Sequence, residues 1–240
     1  YGVVYSYANN SATKLFQVHN IYDFYITAEG IWIGATNGVS LFSEKTSDWQ
    51  LSMTIPFQNQ NNTLVTKIDS VLFLSSNNGN LYYKLPSGSI KNVVLQNHYP
   101  IWNIRKVGLE YWLTTDGNGI IVLDKQLNVL RSLKCNPNSN NTLCSNSIYD
   151  IYQGLDQKIW VATYDAGLNC IMPDNLLFKN ILPEKGNPNS LIGNYGTSVF
   201  TNGPLFYFGT NYGLSVWNAN TNVFHNLSAD QLKYNLNGNK

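Results

Sequence analysis

Three aromatic residues of this sequence are each followed by a side chain that makes strong hydrogen bonds, and the three pairs recur at one place in a repeated pattern. The pairs are Tyr22-Asp23, Trp102-Asn103 and Tyr149-Asp150. A flat apolar ring beside a carboxylate or an amide suits sugars, because the ring stacks on the apolar face of a pyranose while the polar group binds hydroxyls. We therefore expect these pairs to contribute to a site for an oligosaccharide.

The turns inside the same repeats add further polar and aromatic side chains, which we expect on the same face. They are Asp116, Asn118, Tyr164, Asp165, Asn211 and Tyr212. A structural role is the alternative for each residue, since a ring can pack on a neighbouring sheet and Asp can cap a turn. A surface between two domains or two subunits is an equally physical place for a ligand.

Residues for catalysis or metal binding are scarce. The three histidines, His19, His98 and His225, have no partners at the spacing of a metal site or a catalytic triad. The segment Asp116-Gly117-Asn118 resembles part of a calcium loop, but no Glu follows at the distance of a bidentate ligand. Paired carboxylates could make a glycosidase, yet the spacing of the aspartates selects no two of them. We predict no catalytic residue, no metal and no cofactor.

Cys135 and Cys144 flank a polar loop of eight residues. A disulfide between them would fix this loop and would indicate an oxidising compartment. Two free thiols are the alternative, and the sequence leaves both open. Cys170 lies in a predicted inner strand and is expected to be a buried, unreactive thiol.

Composition excludes several classes of protein. The chain has 240 residues, of which 43% are hydrophobic and 12% charged, and its net charge is +1. The sequence contains no basic patch, so we do not expect nucleic acid as a partner. The sequence contains no run of 18 apolar residues, so no membrane span is predicted in this part of the protein. A chain of this length can bury a sizeable core, and we predict a single domain over residues 1–240.

One pattern recurs five times and positions the candidate residues: an apolar strand, a small polar turn that ends in Gly, and a second apolar strand. The turn glycines are Gly38, Gly79, Gly119, Gly167 and Gly213, so the steps are 41, 40, 48 and 46 residues. Each first strand carries one large ring at a fixed position: Trp32, Phe73, Trp112, Trp160 and Tyr207. Such a period, built of short strands, predicts an all-β fold, a β-propeller of four-stranded antiparallel blades. We expect each ring to wedge between successive blades.

The predicted boundaries describe a fragment of a larger ring of the seven-bladed type. They are a half blade at 1–19, full blades at about 20–55, 62–96, 100–134, 147–183 and 194–228, and a tail at 229–240.

The repeat resembles the two-component regulator propeller repeat over roughly residues 1–227. The segments that carry the resemblance are 31–39, 159–168 and the connector 183–191, and Asn136-Pro137-Asn138-Ser139 is similar to part of that connector. Phe73 and Tyr207 depart from the tryptophan of the family pattern. The resemblance implies the periplasmic sensor region of a bacterial hybrid two-component histidine kinase, an inner-membrane protein.

The resemblance also implies a function. Such sensor regions bind, or relay the binding of, an oligosaccharide released from a glycan, and they are not enzymes themselves. Their partners are further propeller or sandwich domains of the same protein, and a homodimer is a further expectation. A non-catalytic scaffold for dimerisation is the main alternative, and a propeller glycosidase or lyase is the weaker one.

Overall fold

The structure is a computed structural model. It describes residues 2–8, 11–36, 38–45, 48–57, 61–139, 141–154, 156–172 and 177–231. The chain divides into two compact units, unit 1 at Tyr1–Ile101 and unit 2 at Trp102–Lys240. Most of the predicted tail, residues 232–240, lies outside the described residues.

Unit 1 contains a two-stranded sheet and two four-stranded sheets, all antiparallel. The two-stranded sheet consists of β1 (Gly2–Ala8) and β2 (Ser11–Val18). The next sheet consists of β3 (Ile21–Thr27), β4 (Gly30–Ala35), β5 (Gly38–Lys45) and β6 (Asp48–Pro56). The last consists of β7 (Asn62–Ile68), β8 (Val71–Ser76), β9 (Leu81–Lys84) and β10 (Ile90–Val93).

Three further four-stranded antiparallel sheets complete the described strands. The first consists of β11 (Ile101–Val107), β12 (Glu110–Thr115), β13 (Ile120–Leu123) and β14 (Val129–Leu133). The second consists of β15 (Ile148–Gln153), β16 (Ile159–Thr163), β17 (Leu168–Met172) and β18 (Leu177–Ile181). The third consists of β19 (Gly196–Asn202), β20 (Leu205–Thr210), β21 (Gly213–Asn218) and β22 (Val223–Ser228). Within every sheet each strand pairs with the next one in the chain. Five such meanders at the predicted period confirm the all-β class with propeller blades.

The large ring of the repeat packs between successive sheets, as predicted, wherever both sheets lie in one unit. Trp32 is 1% exposed and shares a core cluster with Val65 and Leu74 of the next sheet. Trp160 lies with its ring centroid 4.5 Å from that of Phe206 in the next sheet. Full burial of such a side chain stabilises by about 1.5–3 kcal/mol. The core is therefore distributed over the interfaces between sheets.

The turn between the second and third strands depends on a buried threonine as well as on the glycine. The hydroxyl of Thr115 donates to the carbonyl of Gly119 (2.8 Å) and accepts from the backbone N–H of Asn118 (2.9 Å). Thr163 makes the same bond to the carbonyl of Gly167 (2.8 Å). Gly119 has a φ of +71°, and a Cβ there would lie 2.1 Å from the carbonyl oxygen of Leu133. Glycine is thus required both for the left-handed backbone and for the close approach of the fourth strand.

The connectors between the sheets of unit 2 dock on the outer strand of the sheet that follows them. The side-chain oxygen of Asn141 accepts from the backbone N–H of Phe178 (2.8 Å), and that of Asn189 accepts from Phe224 (2.6 Å). Leu143 and Leu191 follow these residues and are buried. The segments 136–139 and 187–190 form a similar local turn, in which the backbone N–H of Asn138 donates to the side-chain oxygen of Asn136 (3.0 Å) and that of Asn189 donates to the side-chain oxygen of Asn187 (2.9 Å). Docking in the first connector is made by residues 141–143, three positions later than the sequence similarity indicates.

Candidate functional site

Four aromatic rings form a continuous row at one end of the sheets in unit 2. The ring centroids of Trp102 and Tyr149 are 6.0 Å apart with the planes nearly parallel, and those of Tyr149 and Tyr164 are 5.6 Å apart. Tyr195 continues the row, with its centroid 5.1 Å from that of Tyr164 in an edge-to-face arrangement. Tyr164 is 47% exposed, so its ring is open to solvent. We call these four residues the aromatic row.

Antiparallel pairing explains why residues far apart in sequence meet in this row. Ile148 at the start of β15 pairs with Thr163 at the end of β16, so Tyr149 and Tyr164 come from the same end of one sheet. The backbone N–H of Tyr164 donates to the carbonyl of Ser147 (2.9 Å) and fixes the turn against the start of the first strand. The rings are therefore held by main-chain pairing.

Asp116 lies at the same end and adds a carboxylate to the row. Its Oδ1 accepts a hydrogen bond from the hydroxyl of Ser147 (2.9 Å). The turn that carries Asp116 is bound to the following connector, because Gly117 and Gly119 both donate their backbone N–H groups to the carbonyl of Asn146 (3.0 and 2.8 Å). Burial, and then the negative charge of Asp116, raise the pKa of Tyr149. Its phenol therefore stays protonated and able to donate near neutral pH.

The other predicted turn residues of unit 2 lie around the same connectors. Asp165 is exposed, and its backbone carbonyl accepts from the side-chain amide of Asn194 (3.2 Å). The backbone N–H of Asn211 donates to the carbonyl of Tyr195 (3.3 Å). Tyr212 is 59% exposed. Asn118 uses its backbone N–H within the turn of Thr115.

Asn103 and Asp150 are joined by a hydrogen bond across two successive sheets. The side-chain amide of Asn103 donates to Oδ1 of Asp150 (2.8 Å), which also accepts from the backbone N–H of Ile151 (2.9 Å). The guanidinium of Arg105 donates to the same oxygen (3.2 Å). Burial raises the pKa of Asp150, and the charge of Arg105 opposes that rise. These contacts tie the first strand of one sheet to the first strand of the next.

In unit 1, Tyr22 and Asp23 divide their roles in a similar way. Oδ2 of Asp23 accepts from the backbone N–H of Val65 in the next sheet (2.7 Å), and Oδ1 accepts from that of Phe24 (2.9 Å). Burial raises the pKa of Asp23, and these two hydrogen bonds oppose the rise. Tyr22 is 51% exposed. Because it belongs to the other unit, it is described apart from the aromatic row.

Sequence reasoning missed Tyr195, because the equivalence that locates it is visible in the hydrogen bonds of the structure and not in the repeat pattern. Asn146 and Asn194 are equivalent, since their carbonyls accept from turn glycines in the same way: Asn146 from Gly119 and Asn194 from Gly167 (2.7 Å). Aligning the connectors on these asparagines places Tyr195 opposite Ser147. The ring of the last sheet is thus displaced by two residues from the position that Tyr149 occupies.

Cys135, Cys144 and Cys170 are free thiols in the structure. The thiol of Cys144 donates to the side-chain oxygen of Asn169 (3.0 Å). Burial raises the pKa of both Cys144 and Cys170 to about 11, which makes them poor nucleophiles.

Within the ranges given above, no three His, Cys, Asp or Glu side chains are grouped so that they could hold a metal ion. No helix in the same residues is long and apolar enough to span a bilayer.

Comparison with known proteins identifies the fold of this chain. No protein-family model matches the chain, and no curated protein is significantly similar to it in sequence. The extracellular domain of BT4673 from B. thetaiotaomicron, described as a hybrid two component system, is 22% identical with a TM-score of 0.67 over 95% of this chain and 29% of that one.

Two further solved structures are similar. The extracellular domain of BT3049 from the same organism, also described as a hybrid two component system, is 14% identical with a TM-score of 0.51 over 89% of this chain and 25% of that one. The Neurospora crassa Pan2 WD40 domain is 12% identical with a TM-score of 0.56 over 87% of this chain and 65% of that one. This chain thus spans less than a third of each of the two extracellular domains. At these identities the likeness shows the fold alone, and it confirms the propeller blades.

Proposed function

We propose that this chain is part of the extracytoplasmic sensor region of a hybrid two-component signalling protein, and that its aromatic row binds an oligosaccharide derived from a glycan. The observation that carries the proposal is the row itself, four rings at 5.1–6.0 Å spacing with a carboxylate beside them. Structural likeness to two extracellular domains of such systems supports the sensor context. The proposal includes a periplasmic location.

The chemistry of the row fits sugar binding. The exposed ring of Tyr164 offers a stacking surface, and the protonated phenol of Tyr149 offers a donor. Asp116 offers an acceptor oxygen for hydroxyl groups. The indole N–H of Trp102 is buried with no hydrogen-bond partner among the residues that the structure describes. An unpaired donor of this kind costs about 1–3 kcal/mol, so a hydroxyl brought to it by a ligand would relieve that cost.

Charge narrows the ligand to neutral sugars. Asp116 and Asp165 place carboxylates at this end of unit 2, and the guanidinium of Arg105 is already paired with Asp150 (3.2 Å). Sulfated sugars and uronates would meet like charges here. The proposed ligand is therefore an uncharged oligosaccharide.

Signalling through such a site requires only that the ligand bind one arrangement of the protein better than another. The row joins residues from three successive sheets of unit 2, Trp102 from β11, Tyr149 and Tyr164 from the ends of β15 and β16, and Tyr195 before β19. A ligand that stacks along the row would favour the spacing of sheets that fits it and would shift the population toward that state. Further domains of the same protein would carry the shift to the kinase.

Isothermal titration calorimetry of the 240-residue chain tests the proposal. Neutral oligosaccharides should release or absorb heat on binding, whereas matched uronates should not. Tyr164→Ala should weaken binding about tenfold, because one stacking ring contributes about 0.5–1.5 kcal/mol beyond its buried area. Tyr99→Ala is the matched control, since Tyr99 is 48% exposed and lies in unit 1. Absence of binding across a broad neutral panel would refute the sugar site, and equal losses in the two variants would refute its place in the row.

A scaffold role without a ligand is the second candidate, because unit 1 presents an exposed apolar face. Phe24 and Ile26 are 60% and 65% exposed on β3. Analytical ultracentrifugation of the same chain distinguishes this role: self-association that Phe24→Ser abolishes, together with no response to sugars, would favour it.

A further inference from the structure

Asn is followed directly by Gly at five places in the chain, and three of these pairs lie wholly within the described residues: 78–79, 118–119 and 202–203. Each of the three stands in the turn between two paired strands. In an Asn-Gly pair the backbone nitrogen of Gly can attack the side chain of Asn with little hindrance, because Gly has no side chain of its own. The fold around each turn decides whether that attack can take place.

The reaction is deamidation through a cyclic imide, and it needs only water and hydroxide. Hydroxide removes the proton of the Gly N–H, and the backbone nitrogen attacks Cγ of the Asn. A new C–N bond forms while the bond from Cγ to the side-chain nitrogen breaks, and this nitrogen takes up a proton from water and leaves as ammonia. Water then opens one of the two C–N bonds of the imide and leaves an aspartate or an isoaspartate. The reaction therefore requires a free N–H, a mobile amide and space around the glycine.

The turn between β19 and β20 meets all three requirements. Asn202 pairs with Leu205, so Gly203 and Pro204 form a tight turn, with a φ of +59° at Gly203. Among the residues that the structure describes, neither the backbone N–H of Gly203 nor the side chain of Asn202 makes a hydrogen bond. Both residues are exposed. A Cβ placed on Gly203 would meet no heavy atom within 4 Å, so the imide ring has room to form.

The turn between β12 and β13 holds the same groups in place. The backbone N–H of Gly119 donates to the carbonyl of Asn146 (2.8 Å), so the attacking nitrogen is engaged. Gly119 is buried, and a Cβ placed on it would lie 2.1 Å from the carbonyl oxygen of Leu133. An imide between Asn118 and Gly119 would break this hydrogen bond and add atoms where there is no space.

The turn between β8 and β9 restrains both reacting groups of its pair. The backbone N–H of Gly79 donates to the carbonyl of Ser76 (2.9 Å), and the side-chain oxygen of Asn78 accepts from the hydroxyl of Ser76 (2.6 Å). A Cβ placed on Gly79 would lie 2.5 Å from Nδ2 of Asn97. The nitrogen that would attack and the amide that it would attack are thus fixed by hydrogen bonds.

We propose that Asn202 is a site of spontaneous deamidation in the folded protein, and that the fold protects Asn78 and Asn118 from the same reaction. The isoaspartate product carries the main chain through its side-chain carbon, so it lengthens the backbone at the end of β19 and disturbs the pairing with Leu205. Either product adds a carboxylate to the turn. The change lies at the opposite end of β19 from Tyr195, so it is independent of the aromatic row.

Peptide mapping by mass spectrometry tests the proposal on the 240-residue chain. The folded chain is incubated at mildly alkaline pH and sampled over time, and digestion with pepsin at acidic pH stops the reaction during analysis. Asn202 should be deamidated several-fold faster than Asn78 and Asn118, and its rate should rise with the hydroxide concentration. In the chain unfolded by urea the three rates should converge, because the reacting pair is the same at each site.

Asn202→Gln is the matched control. The longer side chain keeps an amide in the turn but moves its carbon away from the nitrogen of Gly203. This variant should lose the modification at the β19–β20 turn and keep the rates of Asn78 and Asn118 unchanged. Similar rates at the three sites of the folded chain would overturn the proposal, and so would a faster reaction at Asn78 or Asn118.

Thermal unfolding of aged samples tests the consequence for the hairpin. The native chain should unfold at a lower temperature after incubation, in step with the isoaspartate content at position 202, whereas Asn202→Gln incubated in parallel should not change. Equal losses in the two chains would assign the change to another site and would contradict the disturbed pairing of β19 with β20.

Discussion

The first strands β3 in unit 1 and β15 in unit 2 carry the same aromatic–acidic pair, Tyr22-Asp23 and Tyr149-Asp150. In both units the carboxylate accepts a hydrogen bond from a neighbouring sheet. Asp23 accepts from the backbone N–H of Val65 in the next sheet (2.7 Å), and Asp150 accepts from the side-chain amide of Asn103 (2.8 Å). The rings differ, because Tyr149 lies between Trp102 and Tyr164 whereas Tyr22 is 51% exposed.

This comparison separates two roles that the sequence presents as one motif. The acidic member holds neighbouring sheets together in either unit, so its presence says nothing about ligands. The aromatic member becomes part of a binding surface only where connectors and turns bring further rings to it. Unit 2 has that environment in Tyr164 and Tyr195. Two residues adjacent in sequence can therefore have different roles: one holds neighbouring sheets together and the other contributes to a ligand-binding surface.

Asp150→Ala should have the largest effect on stability. It removes an acceptor shared by Asn103, Ile151 and Arg105, and it leaves the side-chain amide of Asn103 and the buried backbone N–H of Ile151 without this partner. We expect a loss of about 3 kcal/mol in the free energy of unfolding, measured by urea denaturation. Asp150→Asn should lose much less, because Asn103 already fills the equivalent position of its own strand. A loss no greater than that of Asp156→Ala, whose side chain is 43% exposed, would contradict the sheet-to-sheet role.

Asp23→Ala should cost less, about 1–2 kcal/mol, since Asp23 serves only the backbone N–H groups of Val65 and Phe24. Equal losses for Asp23→Ala and Asp150→Ala would show that Arg105 adds nothing to the contact. Urea denaturation at one pH and ionic strength makes the two values comparable.

The pH dependence of stability should follow from the burial of both carboxylates. Burial raises the pKa of Asp23 and of Asp150 above that of an ordinary Asp. The folded chain therefore favours their protonated forms, and this contribution is present at pH values below the pKa of the unfolded chain and is lost as pH rises through the folded pKa. The variant Asp150→Asn has no titratable group at this position.

The stability of the native chain relative to Asp150→Asn should accordingly fall as pH rises from about 3.5 upward. Taking this difference cancels the opposite trend of Glu110, whose pKa is lowered by its hydrogen bond with Arg131. Unfolding by urea at a series of pH values measures it. A difference that grows with pH would mean that hydrogen bonds to the charged form outweigh burial.

Tyr22→Ala should have the smallest effect. Its side chain is half exposed, so its removal should change the free energy of unfolding by no more than about 0.5 kcal/mol and leave sugar binding unchanged. Tyr149→Ala, by contrast, should weaken binding, because it removes the centre of the aromatic row. Calorimetry of both variants with one oligosaccharide makes the comparison direct. A loss of binding in Tyr22→Ala would extend the ligand surface to unit 1.

The sequence predicts the strands well because their signals are local. A turn glycine, an apolar alternation and a ring at a fixed place all act within a few residues, and the five repeats reinforce one another. The roles of Asp23 and Asp150 carry no such signal. The partner of Asp23 is a main-chain N–H 42 residues away, and every residue type except proline has that group.

The aromatic row can be predicted from the sequence in part. Trp102, Tyr149 and Tyr164 follow from their places in the repeat, and the structure brings all three together. Tyr195 does not follow, because its ring reaches the row from the connector, two residues before the usual position. Connectors differ in length between repeats, so position within the repeat stops being a guide there.

The turn at Gly119 has a consequence for how such a chain can diverge. With the carbonyl oxygen of Leu133 only 2.1 Å from where a Cβ would lie, this corner tolerates neither a larger residue nor an inserted one. Length varies more readily in the connectors between sheets, and the longer steps of 48 and 46 residues place their extra residues in the connectors around 134–147 and 182–195. Evolution can therefore remodel the rim of each blade by insertion while its hairpin corners stay fixed, and a reporter peptide inserted near residue 138 should be accommodated where one at residue 119 would not.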